Sequence, residues 1–492
     1  MSLPVKVLVA NRGEIAVRIM RTLRRLGIAT VVVHHAEDAG SLAVREADEA
    51  VELFGDTPVG AYLDIEAVVA ACARTGAEAL HPGFGFLSEN ADFAEAVAAA
   101  GVTFIGPPAD AMRAMGDKIT SKRLAAAAGV PILPGSDGAV GPAEAAVTEA
   151  DRIGYPVLVK ASAGGGGKGM RIAGDAAALR EAFDRASSEA LAAFGDGRVF
   201  VERFIERPRH IEVQVLADAH GGIVHLGERE CSIQRRYQKV VEECPSPFVD
   251  EDMRRAMGET AVALAREVGY VSAGTVELIA DADGGFYFLE MNTRLQVEHP
   301  VTELVTGIDI VAEQVRIAAG EPLGYGQDAI GMDGHAIECR IYAEDAEAGF
   351  VPATGRLQLV RFPSGPGIRV DHGVTEGGDI SASFDPMIAK LAVHGPTRDA
   401  ALARGRAALR ETVLLGTVTN TAFLERVLAR PAFLAGDTHT GFLDEHADAL
   451  LAPPADEADE RALIAAAALA SPRFDLRLAA PEPLASMGAW RS

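Results

Sequence analysis

The stretch 286–300, FYFLEMNTRLQVEHP, constrains the fold more than any other part of the sequence. Apolar and polar residues alternate along it, and side chains two positions apart in extended backbone share one face of a strand. One face would carry Met291, Leu295 and Val297. The other would carry Glu290, Asn292, Arg294, Gln296 and Glu298. This period predicts one extended strand that presents acidic, amide and guanidinium groups to a common cavity.

A solvated face on an edge strand is the simpler alternative, because alternation is common in half-buried strands. Such faces usually carry lysine, threonine and serine, whereas this one begins with two oxygen donors. Mg²⁺ prefers oxygen ligands and is usually held by one or two carboxylates together with substrate phosphates. Glu290 and Asn292 fit that preference, and Glu277 in the apolar run Ala273–Ile279 offers a second carboxylate. We therefore expect a magnesium site here.

A glycine-rich loop, KASAGGGGKGM from Lys160 to Met170, is the second distinctive feature. Glycines let backbone N–H groups turn toward phosphate oxygens without side chains blocking the approach. The loop is not a Walker A motif, because Gly169 follows Lys168 where that motif needs serine or threonine. The alternative is a flexible linker, but such linkers usually carry serine and lack flanking strands. We interpret the loop as a phosphate-binding element.

Composition narrows the class of protein. The 492 residues carry a formal net charge of -24, which argues against nucleic acid as a partner. There is no apolar run of about 18 residues, so no membrane span is expected. The first residues show no charged leader followed by an apolar stretch, and no cysteine pair has CxxC spacing. The four cysteines, which we expect to be reduced, are Cys72, Cys231, Cys244 and Cys339. A cytoplasmic location follows as the prediction.

The order of predicted elements indicates α/β and α+β architecture. Strand-like runs at Val5–Ala10 and Ala29–His34 alternate with a helix at Gly13–Leu26, which is typical of a parallel sheet. Residues 1–115 are predicted to form this N-terminal domain. Residues 116–204 would form a linker and a small lid with the glycine loop, and residues 205–451 a mixed catalytic and C-terminal domain. The Pro-, Ala- and acid-rich residues 452–460 read as a linker, so 452–492 would be a linker and tail.

Several motifs, in this order along the chain, resemble those of biotin carboxylases, a family of the ATP-grasp superfamily. They are ANRGEIAVRI at 10–19, HPGFGFLSEN at 81–90, MGDK at 115–118, ERECSIQRRYQK at 228–239, EMNTRLQVEH at 290–299 and HAIECRIYAED at 335–345. The resemblance runs from Val5 to about Leu443. Each motif alone is weak, and the ordered set is specific. It implies an ATP-grasp fold and a ligase that uses ATP and bicarbonate to carboxylate biotin.

The resemblance also implies roles for matching positions. The ATP contacts would be Lys118, Lys160, Gly166, Gly167, Glu202, Arg203, Ile205, His210, Gln234, Tyr237, Glu277 and Glu290. Magnesium or manganese would be held by Glu277, Glu290 and Asn292. Bicarbonate would be bound by Lys239, Arg294, Gln296 and Val297. Glu298 would be the base that deprotonates bicarbonate, and Arg340 would stabilise the charge on the biotin ureido oxygen. The catalytic set would therefore be Glu298, Arg294, Arg340 and Lys239.

Two positions depart from the family pattern. Tyr237 stands where members often have histidine, and Phe84 stands where they often have tyrosine. Tyr237 keeps one hydrogen-bonding group but loses the charge option of an imidazole. Phe84 keeps the ring and loses the hydroxyl. Neither position belongs to the implied metal or bicarbonate ligands.

Two rival functions are open at this point. The first is another ATP-grasp ligase, such as a carbamoyl-phosphate synthetase half or a purine carboxylase, which biotin-dependent ATP turnover would distinguish. The second is a catalytically silent ATP-binding or scaffold subunit, for which Tyr237 is the only support. The intact catalytic and ligand set speaks against the second.

The sequence lacks a Met-Lys-Met biotinylation motif, so biotin is expected on another polypeptide or on a segment outside this chain. A biotin carboxyl carrier domain and a carboxyltransferase subunit are therefore the expected partners, and a homodimer is expected because bacterial relatives are often dimers. The tail at 468–492 resembles the start of the region that follows the biotin carboxylase part of long acyl-CoA carboxylase α subunits. The acyl-CoA acceptor is not encoded in the motifs.

Overall fold

The computed structural model describes residues 2–162, 170–451 and 464, and for Phe194 the backbone only. The chain divides into two compact units, Met1–Leu450 and Leu451–Ser492. The glycine loop with Gly166 and Gly167 lies outside the described residues. So do the predicted linker 452–460 and, apart from Ile464, the helix predicted at 461–470. The elements below belong to the first unit.

The N-terminal part contains a parallel sheet, as predicted, with five strands in the order β3-β2-β1-β4-β5. Its strands are β1 Lys6–Val9, β2 Ala29–His34, β3 Glu49–Glu52, β4 Ala79–His81 and β5 Thr103–Phe104. Its helices are α1 Gly13–Arg25, α2 Leu42–Glu46, α3 Pro58–Tyr62, α4 Ile65–Thr75, α5 Ala91–Ala99, α6 Ala109–Gly116 and α7 Lys118–Ala127. The strand order reverses between β1 and β4, and ligand crevices in such sheets open at that point, beyond the carboxyl ends of the strands.

Local sequence explains why these elements form. Three buried residues of β1, Val7 to Val9, pack on both faces of the sheet, as expected for a central parallel strand. Helix α1 buries an apolar stripe that includes Ile15, Ile19 and Leu23 against it. Each such side chain contributes about 1.5–3 kcal/mol on burial. Helix α4 is capped by Asp64 and ends at Gly76, whose φ of 66° suits the left-handed cap.

A small module follows, with a three-stranded antiparallel sheet in the order β7-β6-β8. Its elements are α8 Ala143–Ile153, β6 Val157–Ala161, β7 Arg171–Ala173, α9 Ala176–Phe194 and β8 Val199–Arg203. The predicted strands at 156–160 and 198–204 are confirmed to within one residue at each end. Buried valines on the central and outer strands pack against the two helices, so the module has a core of its own.

The part that follows the small module is built on an eight-stranded antiparallel sheet in the order β13-β12-β9-β10-β11-β14-β21-β19. The first members in sequence are β9 Arg209–Ala217, β10 Ile223–Arg235, β11 Gln238–Cys244, β12 Ser272–Ala280, β13 Phe286–Asn292 and β14 His335–Tyr342. The helices among them are α10 Glu251–Glu267, α11 His299–Thr306 and α12 Ile310–Ala318. The sequence predicts strands near 211–216, 273–279, 285–291 and 334–342 and helices at 252–268 and 309–319, and the structure has each of these elements within a few residues of the predicted bounds.

The remaining elements complete the sheet and cover its end. The strands are β15 Glu344–Asp345, β16 Val351–Pro352, β17 Gly355–Arg356, β18 Leu359–Arg361, β19 Ile368–His372, β20 Asp379–Ile380, β21 Met387–Gly395 and β22 Val413–Leu415. The helices are α13 Arg398–Glu411, α14 Thr421–Ala429, α15 Pro431–Leu434, α16 Phe442–Glu445 and α17 Ala447–Leu450. Strands β21 and β14 pair so that Lys390 lies directly beside Arg340.

The prediction of one strand through Glu298 is wrong. Strand β13 ends at Asn292, and residues 293–298 form an irregular segment that turns into α11. Glu298 is the N-cap residue of that helix, and Pro300 stands in its first turn, where a missing N–H costs nothing. The alternation of the sequence continues past the strand, but the proline and the helix that follows end the extended backbone.

Candidate active site

Three adjacent strands bring three carboxylates into line. In the register of the sheet, Glu277 on β12 lies beside Glu212 on β9 and beside Glu290 on β13. Equivalent positions on neighbouring antiparallel strands point to the same face. Three neighbouring carboxylates repel one another unless cations lie close to them. The stability of this row therefore depends on the cations that neutralise its negative charge.

Lys239 supplies the central cation. Its ammonium lies 3.0 Å from Glu277 and 2.7 Å from Glu298, and it also contacts Glu212. Burial alone would lower the pKa of Lys239, but Glu212, Glu277 and Glu298 outweigh burial and hold its pKa well above the usual value. Burial raises the pKa of Glu212 to about 7, because the nearby cations offset only part of the effect of burial. Lys239 is therefore charged and joins three carboxylates from three different elements.

Glu298 is held ionised between two cations. Its Oε1 accepts from Lys239, and its Oε2 accepts from the Arg340 guanidinium at 3.0 Å. Burial acts to raise the pKa of Glu298, but Lys239 and Arg340 outweigh it and bring the pKa well below 4.5. Arg340 also donates to Glu242 at 2.5 Å. An ionised carboxylate at the start of a helix, next to a cavity, has the protonation state of a general base.

The irregular segment after β13 still gathers the predicted side chains. Asn292 and Gln296 donate to the same oxygen of Glu277, at 2.6 and 2.9 Å. Arg294 donates to the Asn292 side-chain oxygen at 3.0 Å and pairs with Glu89 at 3.0 Å. The convergence of these side chains was predicted correctly, although a turn produces it.

Sequence reasoning missed four charged residues of this region: Glu89, Glu212, Arg229 and Glu242. Arg229 is fully buried and donates to Gln296 at 2.6 Å and to Glu212 at 3.1 Å. The alternation of His210, Glu212 and Gln214 along β9 was a usable signal, since it repeats the pattern of 286–298. Nothing in the sequence marks Glu89 as a partner of Arg294, because the contact joins distant segments.

The small sheet carries a second charged group. Lys160 on β6 lies 2.6 Å from Glu202 on β8, and Lys122 on α7 contacts the same carboxyl group. Lys118 begins α7 after the N-cap residue Asp117. Of the other predicted nucleotide contacts here, Arg203 is exposed and Ile205 half-buried. Lysines outnumber the carboxylate, which is the charge balance that suits a polyphosphate.

The predicted nucleotide contacts on β9 to β11 lie in two settings. His210 and Gln234 are buried and hydrogen-bond each other at 2.7 Å. His210 also lies 3.0 Å from Glu277. Tyr237 is 61% exposed and shares a two-residue turn with Arg236, with φ angles of 67° and 50°. Left-handed backbone at residues other than glycine costs about 1–2 kcal/mol, and such strain often marks functional loops.

The acidic row fits a divalent cation. The carboxylate of Glu290 makes no hydrogen bond or ion pair with any residue in the ranges 2–162 and 170–451. Burial and the neighbouring Glu277 raise its pKa. Single ligand atoms of His210, Glu212 and Glu277 lie within 4.8 Å of one another. Asn292 uses its amide on Glu277, so its oxygen faces Arg294. An acid left without a cation beside a carboxylate row is the donor chemistry that Mg²⁺ binds.

The N-terminal sheet closes the other side of the site. At the switch point of that sheet, Asn11 donates to the carbonyls of Pro82 and Phe84 at 2.8 and 2.7 Å and shapes the loop after β4. A cavity of about 460 Å³ lies between the two halves. Its walls include Phe84, Glu89, Arg294, Val297 and Arg340. Two of the predicted catalytic residues, Arg294 and Arg340, therefore share a cavity with Val297.

All four cysteines are buried and free. The prediction that they form no disulfide framework is confirmed. Within the part of the chain that the structure covers, no helix has the length and apolar character needed to cross a membrane.

Comparison with known proteins gives the family. Residues 4–112 match the biotin carboxylase N-terminal domain, and residues 338–445 match the biotin carboxylase C-terminal domain. Between them, residues 117–325 match the ATP-binding domain of the carbamoyl-phosphate synthase L chain. The biotin carboxylase of Nostoc sp. is 50% identical over 440 residues, which are 89% of this chain and 98% of that protein. The chain belongs to the biotin carboxylase family. It is thus an ATP-dependent ligase, and the flanking domains decide against a carbamoyl-phosphate synthetase half.

Longer members of the family are also similar. The propionyl-CoA carboxylase alpha chain of Ruegeria pomeroyi is 52% identical over 484 residues, which cover 94% of this chain and 71% of that one. The mitochondrial alpha chain of Homo sapiens is 52% identical over 476 residues, 96% of this chain and 65% of that one. The chain thus spans about two thirds of the length of these relatives.

Solved biotin carboxylase structures share the fold. The biotin carboxylase domain dimer of Hydrogenobacter thermophilus 2-oxoglutarate carboxylase, in complex with MgADP, ADP and bicarbonate, has a TM-score of 0.89 and 46% identity. It covers 93% of this chain and 100% of its own. A biotin carboxylase complex with β-γ-ATP from Campylobacter jejuni has a TM-score of 0.88 and 43% identity, over 90% of this chain and 99% of its own. The predicted ATP-grasp architecture is confirmed.

Proposed function

We propose that this chain carries out the ATP- and bicarbonate-dependent carboxylation of biotin through the residues gathered around Lys239. The observation that carries the proposal is the position of Glu298, which contacts Lys239 on one side and Arg340 on the other. Glu298 thereby connects Lys239, which is expected to bind bicarbonate, with Arg340, which is expected to bind biotin. The bicarbonate site and the biotin site would share this one base.

Bicarbonate would bind in the cavity beside the segment 294–297, with Lys239 and Arg294 neutralising its charge. Glu298 would take its proton, because the carboxylate is ionised and buried next to two cations. A bicarbonate oxygen would then bond to the γ-phosphorus of ATP while the bond to the β–γ bridging oxygen breaks and ADP leaves. The product of this step is carboxyphosphate.

The ATP phosphates would meet Lys118 and Lys160, with Gly166 and Gly167 in the loop above them. The small sheet supports this role through its excess of lysine over carboxylate. Glu277, Glu290 and Asn292 would hold Mg²⁺, which would neutralise charge on the transferring phosphoryl group. Glu202, Arg203, Ile205, His210, Gln234 and Tyr237 would complete the nucleotide contacts.

Biotin would enter the 460 Å³ cavity, where Phe84 offers an apolar wall and Arg340 a cation. Carboxyphosphate would break its bond between the carboxyl carbon and the phosphate oxygen, which gives CO₂ and phosphate. The phosphate would take the proton from biotin N1, and N1 would form the new bond to the carbon of CO₂. Arg340 would stabilise the negative charge on the ureido oxygen during that attack.

The partners follow from the missing biotinylation motif and the longer relatives. Biotin would arrive on a carboxyl carrier, and a carboxyltransferase would pass the carboxyl group to an acyl-CoA. The dimer of the Hydrogenobacter thermophilus domain supports a homodimer. Four free, buried cysteines support a reducing compartment, which we take to be the cytoplasm. The division at 115, 204 and 451 stays our proposal for the domain boundaries.

The substitution Glu298→Gln tests the proposed base. The variant should bind ATP with unchanged affinity and lose at least about a hundredfold in bicarbonate-dependent ADP release. Glu338→Gln is a matched control, since Glu338 is fully buried, has no hydrogen-bond partner in the described chain and has a pKa well above 4.5, mainly from burial. Near-normal turnover of the Glu298 variant would remove the base from the mechanism.

A further inference from the structure

In the turn that leads into α11, side chains hydrogen-bond to the backbone at three residues in a row. Three consecutive carbonyl groups each accept a hydrogen bond from a side chain. The Leu295 carbonyl accepts from Arg294 at 3.3 Å, and the Gln296 carbonyl accepts from the His299 ring at 2.7 Å. The Val297 carbonyl accepts from the Lys390 ammonium at 2.8 Å. The backbone of this turn therefore has little freedom to rotate.

This arrangement decides where the N–H groups point. In a planar trans peptide unit, the N–H lies opposite the carbonyl of the preceding residue. His299 on the Gln296 carbonyl therefore sets the direction of the Val297 N–H, and Lys390 sets that of the Glu298 N–H. Neither N–H donates a hydrogen bond to another residue that the structure describes. Val297 lines the 460 Å³ cavity, so one residue with an unpaired N–H lies at the edge of the site, and the second is its chain neighbour Glu298.

Lys390 is placed unusually for a lysine. It is fully buried on β21, beside Arg340 in the register, and lies 3.2 Å from Glu14 on α1. Burying an ammonium costs several kcal/mol unless it is paired and hydrogen-bonded. Besides Glu14, its only hydrogen-bond acceptor in the described residues is the Val297 carbonyl. A cation at this carbonyl also polarises the peptide unit and strengthens the N–H on its other side.

His299 acts as a neutral donor. The Gln296 carbonyl can only accept, so the proton of the ring lies on Nδ1. The other ring nitrogen has no hydrogen-bond partner in the described chain, and the ring is fully buried. The imidazole thus serves the turn and is not among the residues that line the 460 Å³ cavity.

We propose that Lys390 and His299 are positioning residues that hold the 295–298 turn with its N–H groups directed at the bicarbonate. The inference rests on the proposed function of the site. Neither residue is among those that line the 460 Å³ cavity, so both would act through the backbone of the turn and not on the reacting atoms. They supply a preorganised anion cradle made of backbone.

Lys390→Met tests the inference, because methionine keeps most of the side-chain volume and removes the donor. We expect the KM for bicarbonate to rise about tenfold to a hundredfold, as for loss of a charged hydrogen bond, with the KM for ATP within about twofold. The control is Arg254→Met, which breaks a buried ion pair with Glu228 far from the turn in sequence. The control should leave the bicarbonate KM unchanged. An unchanged bicarbonate KM in the folded Lys390 variant overturns the inference.

A second pair of variants decides the matter if the Lys390 variant does not fold. His299→Leu removes the donor to the Gln296 carbonyl, whereas His299→Asn keeps an N–H close to the position of Nδ1. We expect His299→Leu to raise the bicarbonate KM and His299→Asn to restore it, while thermal unfolding of the two stays alike. Equal KM values for these two variants contradict the proposal. If the unchanged protein itself shows no bicarbonate-dependent ATP turnover, the proposed function fails instead.

Discussion

The two charged regions of the site have opposite charge balances. On the small sheet, Lys160 and Lys122 share the single carboxylate of Glu202. On the large sheet, Lys239 is shared by Glu212, Glu277 and Glu298. One region has cations to spare and the other has carboxylates to spare. The first is complementary to a polyphosphate, and the second is complementary to a divalent cation.

The difference separates charged residues that stabilise the fold from charged residues whose excess charge is available to a ligand. Lys239 is the one cation within ion-pair distance of all three of these carboxylates in the residues described, so its loss affects all three at once. Glu202 keeps one lysine when the other is removed, so the small sheet does not need both. The same substitution in the two regions should therefore have different consequences.

The largest effect is expected for Lys239→Met. Glu298 keeps Arg340 and Glu212 keeps Arg229 in this variant. The buried cluster still loses the one cation that its three carboxylates share, and removing a partner from such a cluster costs about 3–5 kcal/mol. The free energy of unfolding, measured by urea titration, should fall by that amount, and bicarbonate-dependent turnover should be lost. A variant as stable as the unchanged protein would mean that the carboxylates do not depend on Lys239.

The same comparison predicts a pH dependence. Burial acts to raise the pKa of Glu277 and Glu298, but Lys239 outweighs it and holds both pKa values well below 4.5 in the folded protein. A lowered folded-state pKa contributes stability above about pH 4.5 that is lost as the pH falls further. The stability difference between the unchanged protein and Lys239→Met should therefore be largest near neutral pH and shrink in acid. Urea titrations at about pH 7 and pH 4 measure it; a constant difference contradicts the assignment.

Lys160→Met should affect ligand binding rather than the fold. Glu202 keeps its contact with Lys122, so the free energy of unfolding should fall by less than the ~3–5 kcal/mol expected for Lys239→Met. Loss of a charged hydrogen bond to phosphate should weaken ATP binding by about tenfold to a hundredfold. Isothermal titration with ATP and Mg²⁺ measures this. A large loss of stability with unchanged ATP affinity would reverse the distinction between the two regions.

The smallest effect is expected for Tyr237→His, which restores the residue that is common in the family. The ring is 61% exposed, at a turn whose backbone would not change. The affinity for ATP should change by less than about threefold, the range of an exposed hydrogen bond or surface charge. A change of tenfold or more would show that the exposed side chain is a main nucleotide anchor.

Much of this site was predictable from sequence, because the alternation of polar residues and the order of the motifs along the chain both remain visible in the structure. The pattern at 286–298 predicted that Asn292, Gln296 and Glu298 converge, and they do. It could not predict that the strand ends at Asn292, because alternation continues into the turn. The sequence signal for the end of the extended segment is Pro300 in the first turn of α11, which comes after the last residue of the alternating pattern.

Contacts between distant segments were not predictable in the same way. Glu89 meets Arg294 across 205 positions, and Lys390 meets the Val297 carbonyl across 93. Such pairs are set by how the sheets pack, and neither partner carries a local signal. The fold class followed from the order of elements, whereas the charge balance of the site required the register of the large sheet.

The most direct test of the central claim is ADP release by the unchanged protein in buffer depleted of bicarbonate. In the proposed mechanism, Glu298 and its two cations would couple ATP cleavage to the capture of bicarbonate. ADP release should be close to background without bicarbonate, appear when bicarbonate is added, and rise further with free biotin. Release at the same rate with and without bicarbonate would contradict the account.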